Sequence, residues 1–246
     1  MKEKFRWGKW LKWIPVIVIT VIAGIGLVKA PSKASDHLAD DLKQEFAQNS
    51  EMLENKDVTA NANTDAKQQP ENKVEDQRVT LVGDSVMLGA VPTLMEMMPD
   101  AIIDAKESRQ VVQAVEILQA LEEEDKLGGT VVIELGVNSR FSEETGQEVI
   151  DYLGDERKIY WVTVYGKYLP DQERINSVIM DLAKANDNVE VIRWDQEGEK
   201  NPDWFYNDGT HLNGAGRTGF AQVMCDALGI EPAQPEEGQP AEDNPQ

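Results

Sequence analysis

VTLVGDSVMLGA, residues 79–90, joins two apolar runs through one acidic residue and one serine. Val79 to Val82 has the continuous β-branched pattern of a strand buried on both faces, and the stretch from Val86 onward opens a helix. Between them Asp84 or Ser85 would serve as the helix N-cap, which alone accounts for both residue types. A serine on such a strand-to-helix turn would also display its hydroxyl as a nucleophile. The two roles are compatible, so the partners of Ser85 must decide.

Outward from this stretch the pattern repeats. Apolar runs at Ala101–Ile103, Thr130–Leu135, Ile159–Val164 and Val189–Ile192 are each followed by residues at helical spacing. In RQVVQAVEILQALEEEDKL, Val111, Val115, Leu118 and Leu121 share one side, and Gly128-Gly129 would stop the helix. In QERINSVIMDLAKAN, Ile175, Ile179 and Leu182 do the same. Five strands alternating with about five helices predict a three-layer αβα sandwich around a five-stranded parallel sheet. A doubly wound strand order such as 2-1-3-4-5 is the expectation. Functional groups in such sheets collect where strands end at their carboxyl edge. Three polar loops fall there: GDS (83–85), GVNSR (136–140) and NDGTHLNGAG (207–216).

The 246 residues carry 24 Lys and Arg against 45 Asp and Glu, a net charge of −21, which repels phosphate backbones and argues against nucleic-acid binding. The N-terminus is the exception. Residues 1–12 carry a net charge of +4 and lead into an uncharged stretch from Trp13 to Val28. Leu11 extends this stretch, Lys12 and Lys29 can snorkel, and Trp7, Trp10 and Trp13 suit an interfacial belt. The expectation is a cytoplasmic basic segment (1–12), a transmembrane signal-anchor (13–28) and everything beyond it outside the cell; cleavage after SKA, before Ser35, is the alternative. Residues 29–78 read as a spacer, 79–230 as the folded domain and 231–246 as a disordered acidic tail. Within the spacer, Leu38, Leu42 and Phe46 recur every four residues. That fits a short amphipathic helix near the membrane or against a partner, or a solvated stalk. Cys225, the one cysteine, excludes an intrachain disulfide and reads as a buried, inert thiol.

His37 lies in the spacer, so His211 is the one histidine of the folded domain. Asp208 precedes it by three residues in a glycine-containing loop, where the chain can fold back to pair carboxylate and imidazole. Such a carboxylate fixes the tautomer and leaves the other ring nitrogen as a base. Asn138, at the end of the third strand, is either a turn residue or an uncharged oxyanion donor. With one His and one Cys at hand, neither a metal site nor a cofactor is expected. Arg109 and Arg140 sit beside the site loops, as structural partners of an acidic domain or as contacts for an anionic substrate; Trp204, Phe205 and Tyr206 read as anchors of their loop, with stacking on a sugar the alternative.

GDS, GVN and DGTH, in this order, resemble the blocks of the SGNH (GDSL-type) hydrolase superfamily across about residues 78–229. TLVGDSVMLGA, IIDAKESRQ, VVIELGVNS and WFYNDGTHLNGAG look most like the extracytoplasmic catalytic domain of peptidoglycan O-acetyltransferases. The resemblance implies a flavodoxin-like SGNH fold, with Ser85 as nucleophile, His211 as general base and Asp208 as its orienter. It also implies an oxyanion hole from the N–H of Ser85, the amide of Asn138 and a third N–H. That third donor is usually a glycine, and here Ser108 occupies the place. The family's transferases carry a many-helix membrane domain; one apolar span here leaves acyl delivery to a separate membrane protein or another donor. The expected activity is therefore a membrane-tethered esterase or O-acyltransferase on acyl, chiefly acetyl, esters of peptidoglycan or another surface carbohydrate. The alternative is a non-catalytic binding or scaffold module at the cell surface.

Overall fold

The computed structural model describes residues 33–62 and 76–233; the basic start, the apolar segment 13–28 and most of the acidic tail lie outside them. No helix among the described residues is long and apolar enough to cross a membrane. The signal-anchor expected at 13–28 thus falls outside the described chain.

The elements run α1 (Lys33–Ala62), β1 (Val79–Gly83), α2 (Ser85–Met97), β2 (Ile102–Ala105), α3 (Ala114–Glu123), β3 (Thr130–Glu134), α4 (Glu143–Leu153), β4 (Lys158–Val162), α5 (Gln172–Ala185), β5 (Val189–Ile192), α6 (Trp194–Lys200) and α7 (Gly214–Leu228). The five strands are all parallel, in the order β2-β1-β3-β4-β5 expected of a doubly wound sheet. The apolar runs that marked them are the reason. Leu81, Val82, Val131, Val132, Ile133, Ile159 and Trp161 are fully buried, which only a sheet covered on both faces allows. On one of those faces Leu118, Leu121, Ile175, Ile179 and Leu182 of the surrounding helices join the strand residues in a single core.

Because β2 and β3 flank β1 on opposite sides, the sheet reverses its winding at β1/β3, and its carboxyl edge opens into a crevice there. Gly83 at the end of β1 pairs in register with Glu134 at the end of β3, so Asp84-Ser85 and the GVNSR loop leave the sheet side by side.

Two local expectations need correcting. The helix after Arg109 begins only at Ala114, behind a 3-10 turn at Val111–Gln113, and ends at Glu123, ahead of the glycine pair. Asp125, at φ +55°, turns the chain instead, and the Lys126 N–H closes back on Leu121 O at 2.7 Å. Gly128 and Gly129 serve close approach: a Cβ on either would lie 2.2 or 2.0 Å from the carbonyl oxygens of Arg78 and Asp76. The second difference is α1. The chain forms two compact units, Met1–Lys43 and Gln44–Gln246, and α1 begins in the first and ends in the second. Between Gln44 and Lys56 it is no solvated stalk, because Phe46 and Asn49 are buried with the folded unit.

Candidate active site

Asp84 settles which residue caps α2. Its Oδ1 accepts the Val86 N–H at 3.0 Å, so Ser85 is the first helical residue and its hydroxyl is free for another partner. That partner is His211, whose Nε2 lies 3.1 Å from Ser85 Oγ. The imidazole is held from behind by Asp208: Oδ2 is 2.8 Å from Nδ1, and Oδ1 accepts the N–H groups of Thr210 and His211 at 2.9 and 3.0 Å. A carboxylate at Nδ1 makes that nitrogen the proton donor, which leaves the Nε2 lone pair facing the serine. Gly209, at φ +70°, supplies the left-handed turn that folds His211 back onto Asp208.

Charge follows the same geometry. Burial depresses the His211 pKa more than any other single influence, but hydrogen bonding to Asp208 and the charges of Asp208, Asp84 and Glu107 outweigh it, and the net shift is upward. For Asp208 burial acts upward, and the hydrogen bonds from His211 and from the Thr210 and His211 N–H groups carry the net shift below the usual carboxylate range. The pair is therefore biased toward carboxylate and a readily protonated imidazole, as a general base requires.

Of the other two residues expected as oxyanion donors, Asn138 is bonded to neighbours of both Ser85 and Ser108. Asn138 Nδ2 donates to Asp84 Oδ2 and to Arg109 O, both at 3.1 Å. It thus ties together the residue before Ser85 and the residue after Ser108. Ser108 has φ +64°, so the serine adopts the left-handed backbone that a glycine would take, and it is exposed. Its Cβ is accommodated with the glycine-like geometry retained. The Ser85 N–H, first of α2, has no carbonyl one turn back within the helix to receive it. Binding an oxyanion through Asn138 requires one of its two N–H groups to leave its present acceptor.

Arg109 and Arg140 are structural here. Arg109 forms an ion pair with Asp104 and donates to Asp104 O at 2.6 Å and Gly83 O at 3.3 Å, while Arg140 pairs with Asp171 at 2.6 Å. Phe205 packs at a tilt against Tyr165 and Trp194, Trp204 stacks on Trp194, and Tyr206 Oη accepts from Arg217 at 3.1 Å, so these aromatics anchor the histidine loop. Cys225 is fully buried and burial pushes its thiol up, away from reactivity. Among the described residues no group of three or more His, Cys, Asp and Glu is placed to hold a metal ion.

Sequence reasoning missed Glu134. It ends the apolar VVIEL strand fully enclosed, and its Oε2 accepts the N–H groups of Asp84 and Met87 at 3.2 and 3.3 Å. Burial pushes Asp84 up to about 7, and burial plus the Asp84 charge push Glu134 well above the carboxylate range. Two adjoining buried carboxyls cannot both ionise cheaply, so the pair holds a proton near neutrality. A glutamate closing an otherwise apolar buried strand was the available signal.

No family model matches this chain. O-acetyltransferase OatA of Staphylococcus aureus is 33% identical over 150 residues, 60% of this chain and 24% of its own length. The putative peptidoglycan O-acetyltransferase YrhL of Bacillus subtilis is 28% identical over 154 residues, 62% of this chain and 24% of its own. This chain thus spans about a quarter of the length of those curated relatives. Among solved structures, the C-terminal catalytic domain of Streptococcus pneumoniae peptidoglycan O-acetyltransferase A, with a methylsulfonyl adduct, superposes with a TM-score of 0.58 at 25% identity, covering 63% of this chain and 94% of that domain. A family 3 carbohydrate esterase from Talaromyces cellulolyticus shares the fold at a TM-score of 0.52 and 14% identity, covering 61% of this chain and 95% of its own. Sequence and structure together show a chain similar to peptidoglycan O-acetyltransferases and, in its fold, to the catalytic domain of one of them.

Proposed function

We propose that this chain is a serine enzyme of acyl-ester chemistry, acting on O-acyl, chiefly acetyl, esters of peptidoglycan or a related surface carbohydrate. The observation that carries this reading is the unbroken chain Ser85 Oγ, His211 Nε2, His211 Nδ1, Asp208 Oδ2, with links of 3.1 and 2.8 Å. Ser85 Oγ attacks the ester carbonyl as His211 Nε2 takes its proton. The tetrahedral oxyanion receives hydrogen bonds from the N–H groups of Ser85 and Ser108 and from the Asn138 amide. The C–O bond to the leaving alcohol breaks, the alcohol takes the proton from His211, and Ser85 carries the acyl group. His211 then removes a proton from the acceptor, water or a sugar hydroxyl, which attacks the acyl-serine and releases Ser85 with its proton restored.

Water as acceptor makes the chain an esterase; a glycan hydroxyl makes it a transferase. For transfer, a separate membrane protein or another donor supplies the acyl group. The signal-anchor expected at 13–28 would hold the domain at the outer face of the membrane. Purified protein cleaves an aryl acetate on this reading, and Ser85→Ala and His211→Ala each abolish that turnover. Incubation with the same donor and a glycan oligomer separates the two outcomes: acylated oligomer identifies a transferase, free acetate alone an esterase. No turnover and no acyl-enzyme with any donor would leave a non-catalytic binding module instead.

A further inference from the structure

The part of α1 that belongs to the folded unit presents one face to it. Phe46 and Asn49 are buried, Glu45, Leu53 and Lys56 are partly buried, and the residues between them are mostly exposed. That spacing is one side of a helix laid on a surface. Its contacts fall on both elements that carry the site. Phe46 packs on the His211 imidazole, with ring centroids 5.5 Å apart and planes inclined at 57°. Glu45 forms an ion pair with Arg217 at 2.5 Å, and Arg217 in turn donates to Tyr206 Oη at 3.1 Å. Tyr206 N–H donates to His211 O at 2.8 Å, so this chain of contacts returns to the histidine. On the serine side, Asn49 Nδ2 donates to Leu88 O, one turn beyond Ser85, at 2.9 Å. Farther along, Lys56 Nζ reaches the carbonyl oxygens of Pro99 and Ala101 at 2.8 Å each, fastening the helix beyond the end of α2.

The geometry points to a working role for this helix: we propose that Phe46 is a positioning residue that holds the His211 imidazole in line with Ser85. The inference rests on the Ser85–His211–Asp208 reading above. Asp208 fixes the imidazole through one ring edge only, and rotation about that edge is checked by whatever packs against the ring. Phe46 packs there. Because Asn49 attaches the same helix to the serine helix and Phe46 to the histidine loop, with Glu45 tied to Arg217 of α7 beside that loop, α1 braces the two against each other. A base displaced by about an ångström from the hydroxyl it must deprotonate loses much of its rate, so the brace acts on kcat rather than on substrate binding.

The test uses the full chain with Phe46→Ala, Phe46→Leu, Glu45→Gln and Ser85→Ala. Aryl acetate turnover is measured across pH, and the His211 imidazole is titrated by NMR, with His211→Ala identifying its signal against that of His37. Phe46→Ala is expected to lower kcat about tenfold with little change in KM. It also raises the imidazole pKa, because the burial that depresses it is relieved while Asp208, Asp84, Glu107 and Glu45 still face the ring. Phe46→Leu, which refills the space, restores most of both, and Glu45→Gln gives a smaller loss of kcat. Unchanged kcat and titration in Phe46→Ala would overturn the proposal. So would increased activity, which would make α1 a cover over the site, or a loss of kcat that Phe46→Leu does not rescue and the titration does not register. If instead Ser85→Ala keeps full activity, the nucleophile assignment falls, and the titration still reports whether Phe46 holds the ring.

Discussion

Two carboxylate sites lie at the same sheet edge and behave oppositely. Asp208 is paired with an imidazole and two backbone N–H groups and sits below the usual carboxylate range. Asp84 is fully enclosed beside Glu134, and burial lifts it to about 7. Both accept backbone hydrogen bonds at the start of a turn. The difference lies in burial: the hydrogen bonds to the imidazole and two N–H groups outweigh it at Asp208, whereas at Asp84 the Val86 N–H, the Asn138 amide and the charges of His211 and Arg109 do not. A depressed carboxyl suits a permanent orienter of a base. An elevated one suits a neutral, hydrogen-bonded wedge that shapes the turn bearing Ser85.

Breaking the first site has the largest expected effect. Asp208→Asn keeps the shape but presents an amide to Nδ1, so the imidazole loses both its fixed tautomer and the charge that raises its pKa. Turnover of an aryl acetate should fall by about 10³–10⁴. In the native enzyme the acid limb of kcat/KM should lie above the ordinary histidine value of 6.5, because His211 must be neutral to act and its pKa is raised. Whatever activity remains in Asp208→Asn should show that limb moved to lower pH.

The second site is read through stability, and its sign is opposite. Asp208, with its folded pKa lowered, contributes stability above the unfolded value of 3.8 that is lost as pH falls through the folded pKa. Asp84 and Glu134, with folded pKa values raised, contribute stability below their unfolded values that is lost as pH rises through the folded ones. Glu134→Gln keeps an oxygen to accept the Asp84 and Met87 N–H groups and removes the repulsion. Melting curves should show this variant close to the native protein at pH 4 and more stable at pH 8, by a few degrees, the scale of about 1 kcal/mol. A variant no more stable than the native protein at pH 8 would contradict the repulsion between the two carboxyls.

How much of this was legible beforehand depended on whether a signal was local. Strands wrote themselves as β-branched runs, so Val79–Gly83 and Val189–Ile192 emerged within a residue of expectation. The blocks that hold Ser85, Asp208 and His211 could be picked out because each is short and polar; Ser85 follows β1 directly, whereas the Asp208–His211 loop stands beyond α6 and the 3-10 turn Pro202–Trp204, a placement the strand pattern did not reveal. What failed to show was set by distant packing. Gly128-Gly129 looked like a helix stop because nothing local reveals that the carbonyls of Asp76 and Arg78 press against them. Phe46 stands in a weakly apolar stretch whose partner lies 165 residues away, so its face had no visible counterpart. Glu134 was passed over because one acid in an apolar strand reads as its solvated end.

Ser108 gives the smallest effect. Its φ of +64° costs an L-residue about 1 kcal/mol that a glycine does not pay, and its N–H is the same in either residue. Ser108→Gly should therefore leave kcat nearly unchanged and shift the melting temperature only slightly. A large change in kcat would show that the serine side chain itself takes part in the reaction.

The central claim is that Ser85 is a nucleophile made reactive by His211. Stoichiometric treatment with a fluorophosphonate, followed by peptide mapping by mass spectrometry, tests it most directly. A single adduct on Ser85 in the native chain, and none in His211→Ala after the same exposure, is the predicted result. Absence of the Ser85 adduct from the native chain, or equal labelling in His211→Ala, would contradict it.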